Sequence, residues 1–165
     1  MPAETARPNQ KETVTMRVLL PIDGSDCSNQ TLHWAADTFN KAQARYFLLF
    51  VIPVLPDLNT VEYDIVEASA MLRKAKNIME SQGCLVERAE YVLGDTIDQI
   101  CRYADEIDAD QIVLGSHGRT GISKLLMGST SIKVLEHSPR PVTIHRNIER
   151  YAPEHERGMT ANTIL

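Results

Sequence analysis

The chain has 165 residues, enough for one domain with a substantial hydrophobic core. Its net charge of −5, its aromatic content of 5% and the absence of a basic stripe argue against a dedicated nucleic-acid-binding protein. The three cysteines lack zinc-type spacing and are predicted to be reduced thiols, and no apolar run is long enough to span a membrane. We therefore expect a cytoplasmic protein that binds neither nucleic acid nor a membrane.

The folded part of the chain is predicted to extend from residue 16 to residue 146. Residues 1–15 are polar and are predicted to form a disordered leader. Residues 147–165 are polar and weakly patterned, so we interpret them as a tail. Both segments are expected to lie outside the core of a single domain.

The first half of this domain is predicted to alternate between strands and helices. The elements are a strand over residues 17–22, a helix with Leu32, Ala35 and Ala36 on its inner face, a strand over residues 46–52, and a helix over residues 66–82 with Gly83 as its C-cap. The second strand is continuously apolar. This pattern is typical of a strand that helices cover on both faces.

The second half continues the alternation. It contains a mixed strand over residues 85–92 near a sheet edge, a helix capped by Asp95, a strand over residues 111–115, a helix with Ile132, Val134 and Leu135, and a final strand over residues 141–145. Five strands that alternate with four helices predict an α/β domain with a parallel sheet and right-handed crossovers.

The segment from Gly115 to Ser131 carries the strongest functional signal. It links a buried strand to a helix and contains Gly115, Gly118 and Gly128, followed by Ser129 and Thr130. Glycines let the backbone approach a ligand closely, and the free N–H groups of a helix start attract anions. The segment matches neither the Walker pattern nor the dinucleotide fingerprint. It predicts a phosphate site, and the alternative is a glycine-rich connection that binds nothing.

The predicted topology also gives this segment neighbours. Ligands of parallel α/β sheets bind outside the carboxyl ends of the strands, where the strand order reverses. The strand ends at Asp23, Val51 and Gly115 are therefore expected to share one crevice.

Two segments of the sequence resemble the universal stress protein family. Residues 18–25, Val-Leu-Leu-Pro-Ile-Asp-Gly-Ser, resemble the opening strand of that family. Gly115-x-x-Gly118, followed after nine residues by Gly128-Ser129, resembles its nucleotide-binding signature. The resemblance covers about residues 16–146. It implies a Rossmann-like fold of the adenine nucleotide alpha hydrolase type, with helices on both faces of a five-stranded parallel sheet in the order 3-2-1-4-5, and it implies a homodimer.

The resemblance further implies ATP binding, because the glycine signature is complete. It assigns the ribose to Asp23, the adenine to the neighbourhood of Pro21 and Val51, and the phosphates to Gly115, Gly118, Gly128, Ser129 and Thr130. The alternative for Asp23 is a turn residue before Gly24. Mg²⁺ is expected to arrive with ATP, held mainly through phosphate oxygens.

We therefore expect an ATP-binding regulatory module of the stress response whose nucleotide alters the surface offered to its dimer mate or to an unknown protein partner. The alternatives are a slow ATPase or phosphotransferase that uses the same site, and a structural dimer without nucleotide. No nucleophile and base are paired in the sequence, so we interpret His117 as a positioning or solvent-facing residue. The acidic residues between 105 and 110 are interpreted as a solvated face opposite the crevice.

Overall fold

The computed structural model describes residues 15–54, 61–117 and 127–146, and of residues 61–64 it describes the backbone alone. Gly118, residues 1–14 of the predicted leader and the predicted tail from residue 147 lie outside the described residues. The strands are β1 (Met16–Ile22), β2 (Ala44–Ile52), β3 (Val86–Leu93), β4 (Gln111–Gly115) and β5 (Val142–His145). The helices are α1 (Asp26–Thr38), α2 (Val61–Ser81), α3 (Thr96–Glu106) and α4 (Ser129–His137).

The strands form one parallel sheet in the order β3-β2-β1-β4-β5. The predicted fold class and strand order are therefore confirmed. The order reverses between β1 and β4, so the carboxyl ends of β1, β2 and β4 open toward the same side of the molecule.

Alternate residues of the central strands face two separate helix layers. In β1, Val18 and Leu20 belong to a core cluster with residues of α1 and α2, whereas Leu19 belongs to a second cluster with residues of α3 and α4. Five consecutive residues of β2 from Tyr46 to Phe50 are buried, as the continuous apolar run predicts for a strand covered on both faces. The mixed pattern of β3 matches its place at the edge of the sheet, where five of its eight residues are exposed.

N-cap residues are described for α1, α3 and α4. A side chain caps the first two of these helices but not the third. The Ser25 side chain accepts a hydrogen bond from the backbone N–H of Ser28 at the start of α1, and Asp95 caps α3 as predicted. At the start of α4 the cap position is Gly128, which has no side chain to offer, so the first turn of this helix is not capped from its own N-cap residue.

The last helix departs from the pattern that the sequence indicates. Only Val134 of its apolar residues is fully buried, whereas Ile132 and Leu135 are 36% and 50% exposed. Because α4 packs beside the edge strand β5, part of its apolar surface has no neighbouring element in the described chain to cover it. Helix α2 also begins earlier than predicted, at Val61.

The polar side chains of β5 are used within the subunit. The His145 ring stacks on Trp34 of α1, with 5.2 Å between the ring centroids, and its Nδ1 lies 3.2 Å from the Thr31 hydroxyl. Because that hydroxyl already donates its proton to the Cys27 carbonyl oxygen, Nδ1 must carry the hydrogen of the Thr31–His145 bond. Burial lowers the pKa of His145, which favours this neutral ring.

The acidic residues between 105 and 110 lie at the amino end of β4, opposite the carboxyl ends of the strands, as predicted. Asp105 and Asp108 are exposed and bind Arg140, at 2.7 Å and 3.0 Å from its Nη2. Asp110 accepts a hydrogen bond from the Arg17 backbone N–H. This cluster therefore joins the ends of neighbouring elements.

None of the helices in the described part of the chain is long and apolar enough to cross a bilayer.

Candidate functional site

A cavity of about 610 Å³ opens at the carboxyl ends of β1, β2 and β4. Its volume lies within the range of about 300–1,000 Å³ that is usual for small-molecule sites. Every predicted site residue that the structure describes lines it, namely Pro21, Asp23, Val51, Gly115, Gly128, Ser129 and Thr130. The fold thus brings together residues that are more than a hundred positions apart in the chain.

The β1–α1 turn places a carboxylate at the cavity wall. Asp23 Oδ1 accepts a hydrogen bond from the Ser25 backbone N–H at 3.0 Å, so Asp23 does stabilise the turn, as its alternative interpretation predicts. It also lines the cavity, and the two roles are compatible because a carboxylate has several acceptor positions. Gly24 follows with φ of +78°, a conformation that favours glycine.

Gly115 is required by packing between α1 and β4. A Cβ built on it would lie 2.9 Å from Cys27 Sγ and 3.1 Å from Thr31 Oγ1. Its carbonyl oxygen accepts a hydrogen bond from the Ser131 hydroxyl at 2.7 Å, which ties the end of β4 to the first turn of α4. The small size of Gly115 therefore has a structural cause that the phosphate interpretation did not include.

Ser116 fixes both ends of the glycine segment, although the sequence did not single it out. Its N–H donates to the His145 carbonyl oxygen at 2.8 Å, and its own carbonyl oxygen accepts from the Gly128 N–H at 2.7 Å. Its hydroxyl oxygen lies 2.9 Å from His117 Nδ1, and the residue as a whole is only 3% exposed. A serine buried directly after a strand end must satisfy its polar groups, and this is the signal that could have identified it.

The start of α4 faces this cavity with backbone donors. Gly128, Ser129 and Thr130 line the wall, and the Ile132 N–H already bonds to the Gly128 carbonyl oxygen. The N–H groups of a first helical turn have no partner within the helix and carry the positive end of the helix dipole. This geometry suits an anion.

Much of the remaining lining is apolar and adds residues to those predicted for the site. It includes Ile22, Leu49, Ile52, Pro53, Ile100 and Leu114, together with the polar residues Glu67 and Thr96. A flat apolar ring can lie against such a wall while polar groups bind at the rim. The signal that could have indicated this wall is the apolar run of β2 up to its end.

Carboxylates on the described cavity wall are not matched by lysine or arginine side chains. Asp23 and Glu67 are carboxylates, and no lysine or arginine is among the described residues that line the wall. In the described ranges, no group of three or more His, Cys, Asp or Glu side chains is placed to hold a metal ion. A magnesium ion at this site would therefore need oxygen ligands from a bound phosphate.

The model of the universal stress protein family matches residues 15–146, which is most of the chain. The chain belongs to the universal stress protein family. The match covers the whole described fold and both ends of the glycine segment.

Curated and solved relatives agree with this universal stress protein assignment. The chain is 25% identical to the universal stress protein MJ0531 of Methanocaldococcus jannaschii, over 81% of this chain and 83% of that protein. The solved structure of the hypothetical protein MJ0577 superposes with a TM-score of 0.71 at 25% identity, covering 81% of this chain and 97% of that one. A universal stress protein solved in complex with cAMP gives a TM-score of 0.63 at 25% identity, over 81% and 98% of the two chains.

Proposed function

We propose that this universal stress protein binds an adenine nucleotide, ATP with Mg²⁺, in the cavity at the carboxyl ends of its strands. Nucleotide occupancy would regulate the surface that the protein offers to a second copy or to a protein partner. One observation carries the proposal: the first turn of α4, without a capping side chain from Gly128, lies in the same cavity as an apolar wall and the Asp23 carboxylate.

Each part of a nucleotide has a matching wall. The adenine packs near Pro21 and Val51, and Asp23 accepts hydrogen bonds from ribose hydroxyls. The phosphates bind at Gly115, Gly128, Ser129 and Thr130, where the N–H groups in the first turn of α4 that follow Gly128 compensate their charge, since the Gly128 N–H itself donates to Ser116. Gly118 would complete this set, although it lies outside the described residues. The similar universal stress protein that holds cAMP supports an adenine nucleotide as the ligand class.

Magnesium fits the proposal as a companion of the phosphates. The ion would neutralise phosphate charge in a cavity whose described wall carries Asp23 and Glu67 and no lysine or arginine. Magnesium commonly keeps several waters and binds through phosphate oxygens. We therefore expect ATP to bind more tightly in the presence of Mg²⁺ than after a chelator has removed the ion.

Calorimetry with ATP and Mg²⁺ tests the proposal directly. The expected dissociation constant is in the micromolar range, or about −7 to −8 kcal/mol. Nucleotide released from freshly purified, denatured protein should be an adenine nucleotide. Absence of both heat and bound nucleotide would contradict the proposal and favour a structural dimer, and turnover of ATP in a single-turnover assay would favour the enzymatic alternative.

Replacing Asp23 by alanine is expected to weaken ATP binding by about 1–3 kcal/mol, the scale of a lost hydrogen bond to a charged group. The loss should be smaller for 2′,3′-dideoxy-ATP, because that analogue lacks the hydroxyls that the carboxylate would contact. Calorimetry on both nucleotides measures the difference.

Two further variants separate ribose binding from the structural role of Asp23. Asp23→Asn keeps an acceptor for the Ser25 N–H, whereas Asp26→Ala removes an exposed carboxylate at the start of α1 that does not line the cavity. Asp26→Ala should bind ATP as the unaltered protein does. Equal losses for ATP and its dideoxy analogue in Asp23→Ala would remove Asp23 from ribose recognition.

We further propose that the protein is a homodimer that pairs along β5. This strand is an edge of the sheet, all four of its residues are half-buried, and the exposed Ile132 and Leu135 lie on the adjacent α4. An unpaired strand edge beside exposed apolar side chains is covered when two copies associate. The double variant Ile132→Lys/Leu135→Lys, which places two positive charges on this face, should therefore shift the protein toward a monomer.

Light scattering at about 100 µM protein measures the mass of both forms. A dimeric mass for the unaltered protein and a lower mass for the double variant would support the pairing. The control is Val66→Lys on α2, which is also exposed but lies far from β5 in the topology. A monomeric mass of the unaltered protein would contradict the dimer.

A further inference from the structure

Met71 of α2 fills a niche that exists because residue 24 is a glycine. A Cβ built on Gly24 would lie 1.7 Å from Met71 Sδ and 2.7 Å from its Cε, so the thioether occupies the place of a side chain at that position. The sulfur thus covers the β1–α1 turn directly.

The covered turn belongs to the cavity. Asp23 precedes Gly24 and lines the wall, and its carboxylate is held by the Ser25 N–H. Ser25 in turn caps α1 through the Ser28 N–H at 3.1 Å. On α2, Glu67 lies one helical turn before Met71 and also lines the cavity. Met71 therefore packs between the apolar core and the turn that holds the carboxylate in place.

Met71 is also partly accessible to solvent. It is half-buried and packs against the edge of the core cluster, unlike Met79 of the same helix, which is fully buried. A thioether accepts an oxygen atom from a peroxide and becomes a chiral, polar sulfoxide. The sulfoxide oxygen is a hydrogen-bond acceptor, so its burial costs free energy unless a donor or a water molecule binds it.

We propose that Met71 is an oxidation-sensitive positioning residue, whose conversion to the sulfoxide by a peroxide displaces the Asp23–Ser25 turn and weakens nucleotide binding. A lone pair of the thioether sulfur attacks one oxygen of hydrogen peroxide, the O–O bond breaks, and the other oxygen leaves as water after proton transfer. The sulfur is oxidised by two electrons and the peroxide is reduced. The effect on binding rests on the proposed function, whereas the effect on the turn does not.

The sulfoxide disturbs the turn for a steric and a polar reason. The niche at Gly24 is filled by the sulfur and its methyl group, so an additional oxygen requires the side chain to move out. The turn then loses the apolar cover that it shares with the core. We expect the affinity for ATP to fall about tenfold after oxidation, which corresponds to a loss of about 1.4 kcal/mol of binding free energy.

The experiment treats the full chain with hydrogen peroxide, then with dithiothreitol, which reduces sulfenic acids and disulfides formed by Cys27, Cys84 and Cys101 but does not reduce methionine sulfoxide. Peptide mass spectrometry quantifies the Met71 sulfoxide. Calorimetry then measures ATP binding, and hydrogen exchange measures protection of the Ser25 and Ser28 amides. Oxidised protein should bind ATP about tenfold more weakly and exchange these amides faster, and methionine sulfoxide reductases should restore both.

Matched variants assign the effect to one sulfur. Met71→Leu keeps an apolar side chain that peroxide does not oxidise, so its binding and exchange should be the same before and after treatment. Met127→Leu removes the exposed methionine beside Gly128 and should leave the peroxide effect intact. Met71→Gln, a polar side chain of similar length, should imitate the oxidised protein without treatment.

The outcomes separate this inference from the proposed function. Lack of ATP binding before oxidation contradicts the nucleotide proposal, and the exchange of the Ser25 and Ser28 amides still decides the role of Met71. Complete Met71 sulfoxide with unchanged amide exchange overturns the inference. So does an equal peroxide effect in Met71→Leu.

Discussion

Gly128→Val is expected to weaken ATP binding by at least about 100-fold, or roughly 3 kcal/mol, while the fold is retained. The valine side chain would stand over the first turn of α4, where the phosphates are proposed to bind, and would cover its N–H donors. The backbone at Gly128 has φ of −61° and ψ of 143°, which any residue adopts, so the substitution brings no backbone strain. Calorimetry measures binding, and circular dichroism verifies the fold.

Gly128→Ser provides a sharper comparison at the same position. A serine at the N-cap can accept a hydrogen bond from an N–H of the first turn, as Ser25 does for α1. The variant should be as stable as the unaltered protein or slightly more stable, yet it should bind ATP more weakly because its hydroxyl competes for the same donors. Normal ATP binding by Gly128→Val would show that the start of α4 is not the phosphate site.

Gly115→Val is expected to lower the free energy of unfolding by about 3 kcal/mol, at the upper end of the usual cost of overpacking. Even a single Cβ would lie 2.9 Å from Cys27 Sγ, and valine adds two further methyl groups to the same space. Relief of this crowding would separate α1 from β4 and shift the end of the strand that leads to Ser116. Urea denaturation followed by Trp34 fluorescence measures the change.

Cys27→Ala tests the cause of this destabilisation, because it removes the sulfur nearest to the added carbon. Gly115→Ala should cost less stability in the Cys27→Ala background than in the unaltered protein, and the double-mutant cycle gives the difference. A cost that is independent of Cys27, or Gly115→Val with unchanged stability, would contradict the packing explanation. Gly115 would then be explained by ligand binding alone.

The sequence by itself determined the elements and their class, since these depend on local signals. The apolar run of β2 indicates a strand covered on both sides, and Asp95 before a helical pattern indicates a cap. Strands that alternate with helices require parallel crossovers, and the glycine segment after β4 indicates an anion site. These inferences need only neighbouring residues, so the place of the cavity followed from the chain.

Tertiary structure decided the features that depend on atoms from distant segments. The sequence indicates that Gly115 is small, but only the approach of Cys27 shows why a larger residue is excluded. The three bonds of Ser116 involve His117, Gly128 and the carbonyl group of His145, and the last of these lies on a strand that follows in the chain by 29 positions.

The same distinction explains the apolar residues of α4 and the cover of Gly24. Helical periodicity predicts that Ile132 and Leu135 belong to the apolar face of a helix. Whether that face is covered depends on the elements beside α4, and the sheet ends at β5. The contact of Met71 with Gly24 joins α2 to the β1–α1 turn through the space that a missing side chain leaves. Periodicity is a property of neighbouring residues, whereas a steric niche is created by the packing of distant ones, and for that reason only the folded structure contains it.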